Sequence, residues 1–346
     1  MHRVLFRVDG NSQIGLGHLM RCLALAQHLQ AEDIEVTFII SQTSLPFCQK
    51  RHDWVGKVQV IPEMPILAEI AWLKQRTDFS QANWIVLDGY QFTERYRRLL
   101  KDNTEHMALF DDNNDSGPLY ADLVINGAGN AQDLGYQYSA PEARLCVGQR
   151  YRVLRREFLF QSQQPWQSRK DLVVTLGGSD PLDLTLGILS ALQKHRARMP
   201  IRVITGAAYP HLTSLRQFVS QTNLLVQHLH DCQQMADVFS RARLVISAAG
   251  GSQYELQACA TPSVLLVVAD NQQNATEQAR VQGWCETHDG RELDCGKLAE
   301  QVMQLWKNDA RLQTMHKHAA QSADTQGAER VVTAMLEELR PGVSFA

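Results

Sequence analysis

No run of the 346-residue chain is long and apolar enough to span a bilayer, and Met1-His2-Arg3 leads into a short apolar-rich strand rather than the apolar core of a signal peptide. A cytoplasmic protein without membrane insertion is therefore expected. Positive charge is not in excess: 34 Lys and Arg stand against 37 Asp and Glu, a formal net charge of -3, and no basic amphipathic helix stands out. This removes the electrostatic case for nucleic acid. The seven cysteines (22, 48, 146, 232, 259, 285 and 295) are odd in number and contain no C-x-x-C pair, which excludes a disulfide framework or a structural zinc ribbon. His228-Leu229-His230 and His316-Lys317-His318 have the spacing of any polar stretch, so no metal and no cofactor is expected. None of the glycine loops is followed by Gly-Lys-Ser/Thr, so there is no P-loop.

What is there is globular: 44% hydrophobic and 21% charged residues, and a length suited to about two domains. Short β-rich runs alternate with helical patterns, the mark of parallel α/β layers. Strands are expected at 4–8, 35–40, 58–61, 84–88, 107–111 and 123–126, and again at 171–176, 201–205, 224–227, 244–248 and 264–268. Helices are expected at 19–29, 184–194 and 252–259. Between the series, residues 152–169 are polar, rich in Arg and Gln, and without period, so they mark the boundary. The reading is a domain over 1–160 and a second over 161–346, with the last helix either in the second or packed back on the first. Two doubly wound sheets facing each other would form a cleft, with chemistry at the loops beyond the strand ends.

The first such loop is Gly15-Leu16-Gly17-His18, between a strand and a helix. Glycines let the backbone approach a ligand, the helix start attracts an anion, and His18 can take a proton there. The alternative is a turn followed by an ordinary helix start. Two more loops, Gly177-Gly178-Ser179-Asp180 and Gly250-Gly251-Ser252, are shaped for phosphate. Glu255 reads either as the partner of Ser252 in a capping box or as a carboxylate on a ribose diol. Asn271, Gln272 and Asn274 form an amide cluster suited to sugar hydroxyls and acetamido groups. Asp111 and Asp112 at a strand end read as turn caps, as groups orienting His18, or, less favourably, as metal ligands.

These pieces resemble the nucleotide-sugar enzymes of the GT-B fold. They are most similar to the hydrolases of the pseudaminic-acid pathway, which release UDP from UDP-2,4-diacetamido-2,4,6-trideoxy-β-L-altropyranose. The resemblance is carried by Arg7-x-Asp9, Gln13-Ile14-Gly15-x-Gly17-His18-x-x-Arg21, Leu87-Asp88-Gly89-Tyr90, Phe110-Asp111-Asp112 and Tyr151-Arg152-x-Leu154-Arg155-Arg156-Glu157-Phe158. The second-domain glycine, Glu and Asn pieces are shared with the glycosyltransferase that adds N-acetylglucosamine to lipid-linked peptidoglycan precursor. The resemblance implies an α/β fold of GT-B type, a UDP-sugar as small-molecule partner, and His18 as the base that activates water. It implies Asp9 and Tyr90 beside His18 in the catalytic set, with Gly15, Gly17, Gly177, Gly178, Ser179, Asp180, Gly250, Gly251, Ser252, Glu255, Asn271, Gln272 and Asn274 on the substrate. Asp183 is implied on the substrate as well, but departs from the pattern: the family often has Asn there, so an N-cap is kept and an amide donor lost. The rival readings are a glycosyltransferase, for which no exposed apolar-basic acceptor surface is legible, and a non-catalytic nucleotide-sugar binding protein.

Overall fold

The structure, a computed structural model, describes residues 2–11, 13–159 and 164–339; the side chain of Asn271 lies outside the described residues. The chain forms two compact units, Met1–Arg156 with Asp324–Ala346, and Glu157–Ala323.

The first unit is built on seven parallel strands: β1 (Arg3–Val8), β2 (Glu35–Ile40), β3 (Lys57–Val60), β4 (Trp84–Asp88), β5 (His106–Phe110), β6 (Leu123–Asn126) and β7 (Arg144–Val147). Their order is β3-β2-β1-β4-β5-β6-β7. Side chains of successive residues point to opposite faces, and here both faces are covered. Val4, Phe6 and Val8 pack with Leu19, Cys22, Leu25 and Leu29 of the helix Gly17–Ala31. Leu5 packs on the other face with Ile39, Ile85, Leu87 and Leu109. Burial on two faces is why these strands read as continuous apolar runs. β7 escaped the sequence reading because it is four residues long and its first two are only half-buried.

The boundary differs from the one expected at 160/161, and the C-terminal segment belongs to the first unit. The helix Gly327–Glu338 lays Val331, Val332, Ala334 and Met335 on the face formed by Val4, Phe6 and Trp84. The Trp84 indole N–H donates to the Met335 carbonyl at 3.1 Å, and Arg144 pairs with Glu337 at 2.6 Å. Gly327 meets the chain at Arg152 so closely that a Cβ would lie 2.1 Å from its carbonyl oxygen. Three of the four arginines of the boundary segment are correspondingly not solvated: Arg152, Arg155 and Arg169 are buried, and Arg156 is exposed. Arg169 donates to the carbonyls of Ala242 and Cys259 at 3.2 and 2.7 Å, and burial without a carboxylate lowers its pKa to about 10.

The second unit has six parallel strands: β8 (Asp171–Thr175), β9 (Ile201–Thr205), β10 (Val226–His230), β11 (Ala242–Ala248), β12 (Ser263–Val267) and β13 (Cys285–Asp289), in the order β10-β9-β8-β11-β12-β13. β13, Cys-Glu-Thr-His-Asp, is an edge strand whose middle residues are half-buried, so it carries no hydrophobic signal. The strand expected at 224–227 lies two residues further on. In each sheet the strand order reverses once, between β1 and β4 and between β8 and β11. Beyond the carboxyl ends of such a strand pair a doubly wound sheet leaves its ligand crevice.

Candidate functional site

At the reversal in the first unit, register sets the geometry. Val8, the last residue of β1, pairs with Asp88, the last of β4, so the loops after both strands start side by side. The loop after β1 folds on itself, with Asn11 N–H donating to the Gly15 carbonyl and the Asn11 side chain accepting from the N–H groups of Gln13 and Ile14. Gly17 is the first helical residue, no side chain caps the helix start at Leu16, and His18 follows at once.

The His18 ring is held from below. Its Nδ1 lies 2.7 Å from Asp88 Oδ1 and 3.1 Å from Arg21 Nη2. Asp88 is fully buried and also accepts from Arg21 Nε at 2.6 Å and Nη2 at 2.7 Å. Burial would raise its carboxyl pKa, but the guanidinium, and after it His18, hold it well below the usual carboxylate range. Arg21 extends to Asp112, with Nη1 2.6 Å from Oδ1, and lies over the Phe110 ring. Burial would raise Asp112 too, and Arg21 again outweighs it. Asp112 accepts in turn from the Tyr90 hydroxyl at 2.6 Å, and the Tyr90 ring stands edge-on to His18 with centroids 4.8 Å apart. Gly89, at φ +147°, allows the turn that carries Asp88 inward and Tyr90 out to 63% exposure.

Of the expected catalytic set, His18 and Tyr90 meet here and Asp9 does not. Asp9 accepts from Arg7 Nη1 at 2.6 Å, Ser41 N–H at 2.5 Å and Ser44 Oγ at 3.2 Å, tying the end of β1 to that of β2. Asp111 is also elsewhere: it caps the following turn through Asn114 N–H and accepts from Tyr136, both at 2.6 Å. The carboxylate that orients His18 is Asp88, to which sequence alone assigns no role. Its signal was its place, the last residue of the strand beside β1.

At the reversal in the second unit, the loop after β8 carries Gly177, Gly178, Ser179 and Asp180. The Gly178 carbonyl accepts from Ala208 N–H at 3.1 Å. The helix Leu184–Lys194 is capped by Asp180, whose oxygens accept from the N–H groups of Leu184 (3.1 Å) and Thr185 (2.9 Å). Asp183, expected as the cap, stands at the N-cap position with φ +51° and makes no side-chain cap bond; it faces His211 at 3.7 Å instead. The loop after β11 carries Gly250 and Gly251 into the helix Ser252–Ala258. Gly251 is the N-cap, so Glu255 is one residue too far along for a capping box with Ser252. Gln272 Oε1 accepts from Val268 N–H at 2.9 Å, bringing its amide nitrogen within 3.7 Å of where a Gly250 Cβ would be. Asn274 is exposed on the next helix, Gln273–Val281.

Among the described residues no group of three His, Cys, Asp or Glu is placed to hold a metal ion, and no helix is long and apolar enough to cross a membrane. His228 and His230 both contact Thr205 Oγ1, and His316 Nδ1 lies 2.6 Å from the Ala260 carbonyl. At the end of the second sheet opposite the glycine loops, Arg196, Arg198 and Lys307 line a pocket with the buried Met199 and the half-buried Met303 and Trp306.

Residues 172–331 match the family model of the glycosyltransferase family 28 C-terminal domain. The chain is similar to the UDP-2,4-diacetamido-2,4,6-trideoxy-beta-L-altropyranose hydrolase of Campylobacter jejuni, with 26% identity over 288 residues, 80% of this chain and 96% of that protein. It is 25% identical to the spore coat polysaccharide biosynthesis protein SpsG of Bacillus subtilis, over 98% of each. An uncharacterized protein of Methanocaldococcus jannaschii is 22% identical over 76% of this chain, which spans 55% of that protein's length. Among solved structures, MurG of Acinetobacter baumannii superposes with a TM-score of 0.66 at 15% identity, covering 97% of this chain and all of that one. The S. aureus MnaA–UDP co-structure gives 0.67 at 12% identity, with full coverage of both. The fold is the two-domain α/β fold of GT-B type.

Proposed function

We propose that the protein hydrolyses a UDP-linked sugar at the anomeric carbon, releasing UDP. The observation that carries this reading is the buried Asp88 carboxylate on His18 Nδ1. A hydrogen on Nδ1 bonds to Asp88 and leaves Nε2, which has no hydrogen-bond partner among the described residues, as a bare lone pair. Such a nitrogen takes the proton of a water as its oxygen bonds to C1. The C1–O bond breaks, its electron pair leaves with the diphosphate, and single displacement inverts the anomeric centre. UDP is a good leaving group, so one base suffices. In this reading the glycine loops 177–180 and 250–252 receive the diphosphate and Glu255 the ribose, while Tyr90, Asn271, Gln272 and Asn274 border the sugar. The name of the Campylobacter relative supports a diacetamido-trideoxy hexose of pseudaminic acid biosynthesis as that sugar.

A second reading, transfer of the sugar to an acceptor, is favoured by the family 28 match. One experiment separates the two. The purified protein is incubated with a panel of UDP-sugars in ¹⁸O-labelled water without acceptor, and products are followed by NMR and mass spectrometry. Hydrolysis predicts UDP release, label in the sugar, and turnover that persists in EDTA. Label in the phosphate of UDP overturns the mechanism, and turnover only on adding an acceptor selects the transferase.

A further inference from the structure

His18 Nδ1 faces two groups that ask opposite things of it. Asp88 Oδ1, at 2.7 Å, is an acceptor and requires a hydrogen on Nδ1. Arg21 Nη2, at 3.1 Å, carries only donors and would be satisfied by a lone pair there. The first demand leaves Nε2 free to take a proton; the second moves the hydrogen to Nε2 and abolishes the base. Arg21 does not need the imidazole, because every part of the guanidinium has a carboxylate: Nε and Nη2 on Asp88 at 2.6 and 2.7 Å, Nη1 on Asp112 at 2.6 Å, and Nη2 again near Asp112 at 3.3 Å. Asp112 shares no hydrogen bond with His18 and takes up the outer edge of the guanidinium. Without it that edge is unpaired in a partly buried site, and the planar group gains by tilting as a whole to aim an Nη2 hydrogen at Nδ1, which can accept it only in the Nε2–H tautomer.

We propose that Asp112 is the positioning residue for the His18 tautomer: by engaging the outer edge of Arg21 it commits the guanidinium hydrogens to carboxylates although Nη2 stands 3.1 Å from Nδ1, so that Asp88 sets the hydrogen there and Nε2 stays bare. The arrangement is a chain of charge-assisted bonds, Asp112 to Arg21 to Asp88 to His18, in which the residue farthest from the base decides its state. Its consequence for turnover rests on the hydrolase reading above; its consequence for the imidazole does not.

The test is ¹⁵N–¹H correlation of histidine-labelled protein at alkaline pH, which reads the tautomer of His18 directly, in wild type, Asp112→Asn and Asp112→Glu, with Asp88→Asn to mark the signature of the lost acceptor. Wild type is expected as the Nδ1–H form. Asp112→Asn is expected to move His18 toward the Nε2–H form, as Asp88→Asn does, and Asp112→Glu to restore it by re-engaging Arg21. In turnover, Asp112→Asn is expected to lower kcat by ~10-fold or more with KM within about twofold, since Asn keeps an oxygen for the Tyr90 hydroxyl while its amide N–H groups cannot pair with Arg21. An Nδ1–H tautomer unchanged in Asp112→Asn, with the fold intact by circular dichroism, overturns the proposal. A tautomer that moves as expected in a protein that hydrolyses no UDP-sugar upholds it and rejects the hydrolase reading instead.

Discussion

His18 and Asp88 are 70 residues apart in sequence, and His18 Nδ1 lies 2.7 Å from Asp88 Oδ1. The contact exists because β1 and β4 are neighbours in the sheet and each ends at the same level. A histidine at a helix start thereby becomes an oriented base.

Binding and proton transfer should separate by unit. His18→Asn retains a polar side chain at the loop and cannot take a proton near neutrality, so kcat is expected to fall by roughly 10²-fold or more with UDP affinity little changed. Glu255→Ala should do the reverse, raising KM with kcat largely kept, because a ribose contact is equal in ground and transition states. Steady-state kinetics with calorimetric UDP titration decide; a near-normal kcat in His18→Asn removes it from the mechanism.

Asp180, not Asp183, should carry the stability of the helix Leu184–Lys194. Asp180→Ala removes acceptors for two helix-start N–H groups and is expected to cost about 1–2 kcal/mol in urea denaturation. Asp183→Gly removes no cap bond and relieves a backbone at φ +51°, so its midpoint should stay level or rise. Equal losses in the two variants would contradict the assignment.

The helix and strand pattern of the first unit was legible because its strands are buried on both faces. At β1, β2 and β4 the apolar runs 4–8, 35–40 and 84–88 are the strands to within a residue. β7 and β13 were not, since an edge strand such as Cys285–Asp289 has too little burial to select apolar residues. At the site, the glycine loop and His18 could be read from local chemistry. Asp88 looked like any strand end, and its pairing with His18 follows only from β1 lying beside β4, a long-range fact. Asp183 stands directly before the helix and so reads as its cap; both aspartates have φ +51°, and it is the bonds from Leu184 and Thr185 N–H to Asp180 that assign the cap, a contact that adjacency in sequence does not show.

Acid should act on the first unit through Asp88 and Asp112. Arg21 depresses both carboxyls in the folded state against the opposing effect of burial. A depressed carboxyl stabilises the fold at pH values above its unfolded value, near 4, and loses that contribution as pH falls through the folded value. Urea midpoints are therefore expected to be flat from pH 7 to about 5 and to fall steeply below 4, with a shallower fall in Asp88→Asn. Asp111, raised by burial, works in the opposite direction and softens the slope. An acid slope unchanged in Asp88→Asn would contradict this account.

Two glycines should behave differently. Gly327→Ala forces a Cβ to within 2.1 Å of the Arg152 carbonyl oxygen and is expected to destabilise by about 1–3 kcal/mol. Around Gly17 a Cβ meets no atom within 4 Å, so Gly17→Ala should fold as wild type does and lose activity only by occupying space a ligand needs. Thermal melts separate the two, and a melting point unchanged in Gly327→Ala would refute the packing argument.

The helix that covers Val4, Phe6 and Trp84 is made long after they are. On a ribosome adding ~5–20 residues per second, the first 156 residues wait roughly ten to thirty seconds, while the second unit is synthesised, before Gly327–Glu338 emerges. Throughout that interval the nascent first unit shows bare apolar surface where Val331 and Met335 will sit. The first unit is thus completed only after the second has been translated, and any premature stop before Gly327 leaves a sheet with one sticky face.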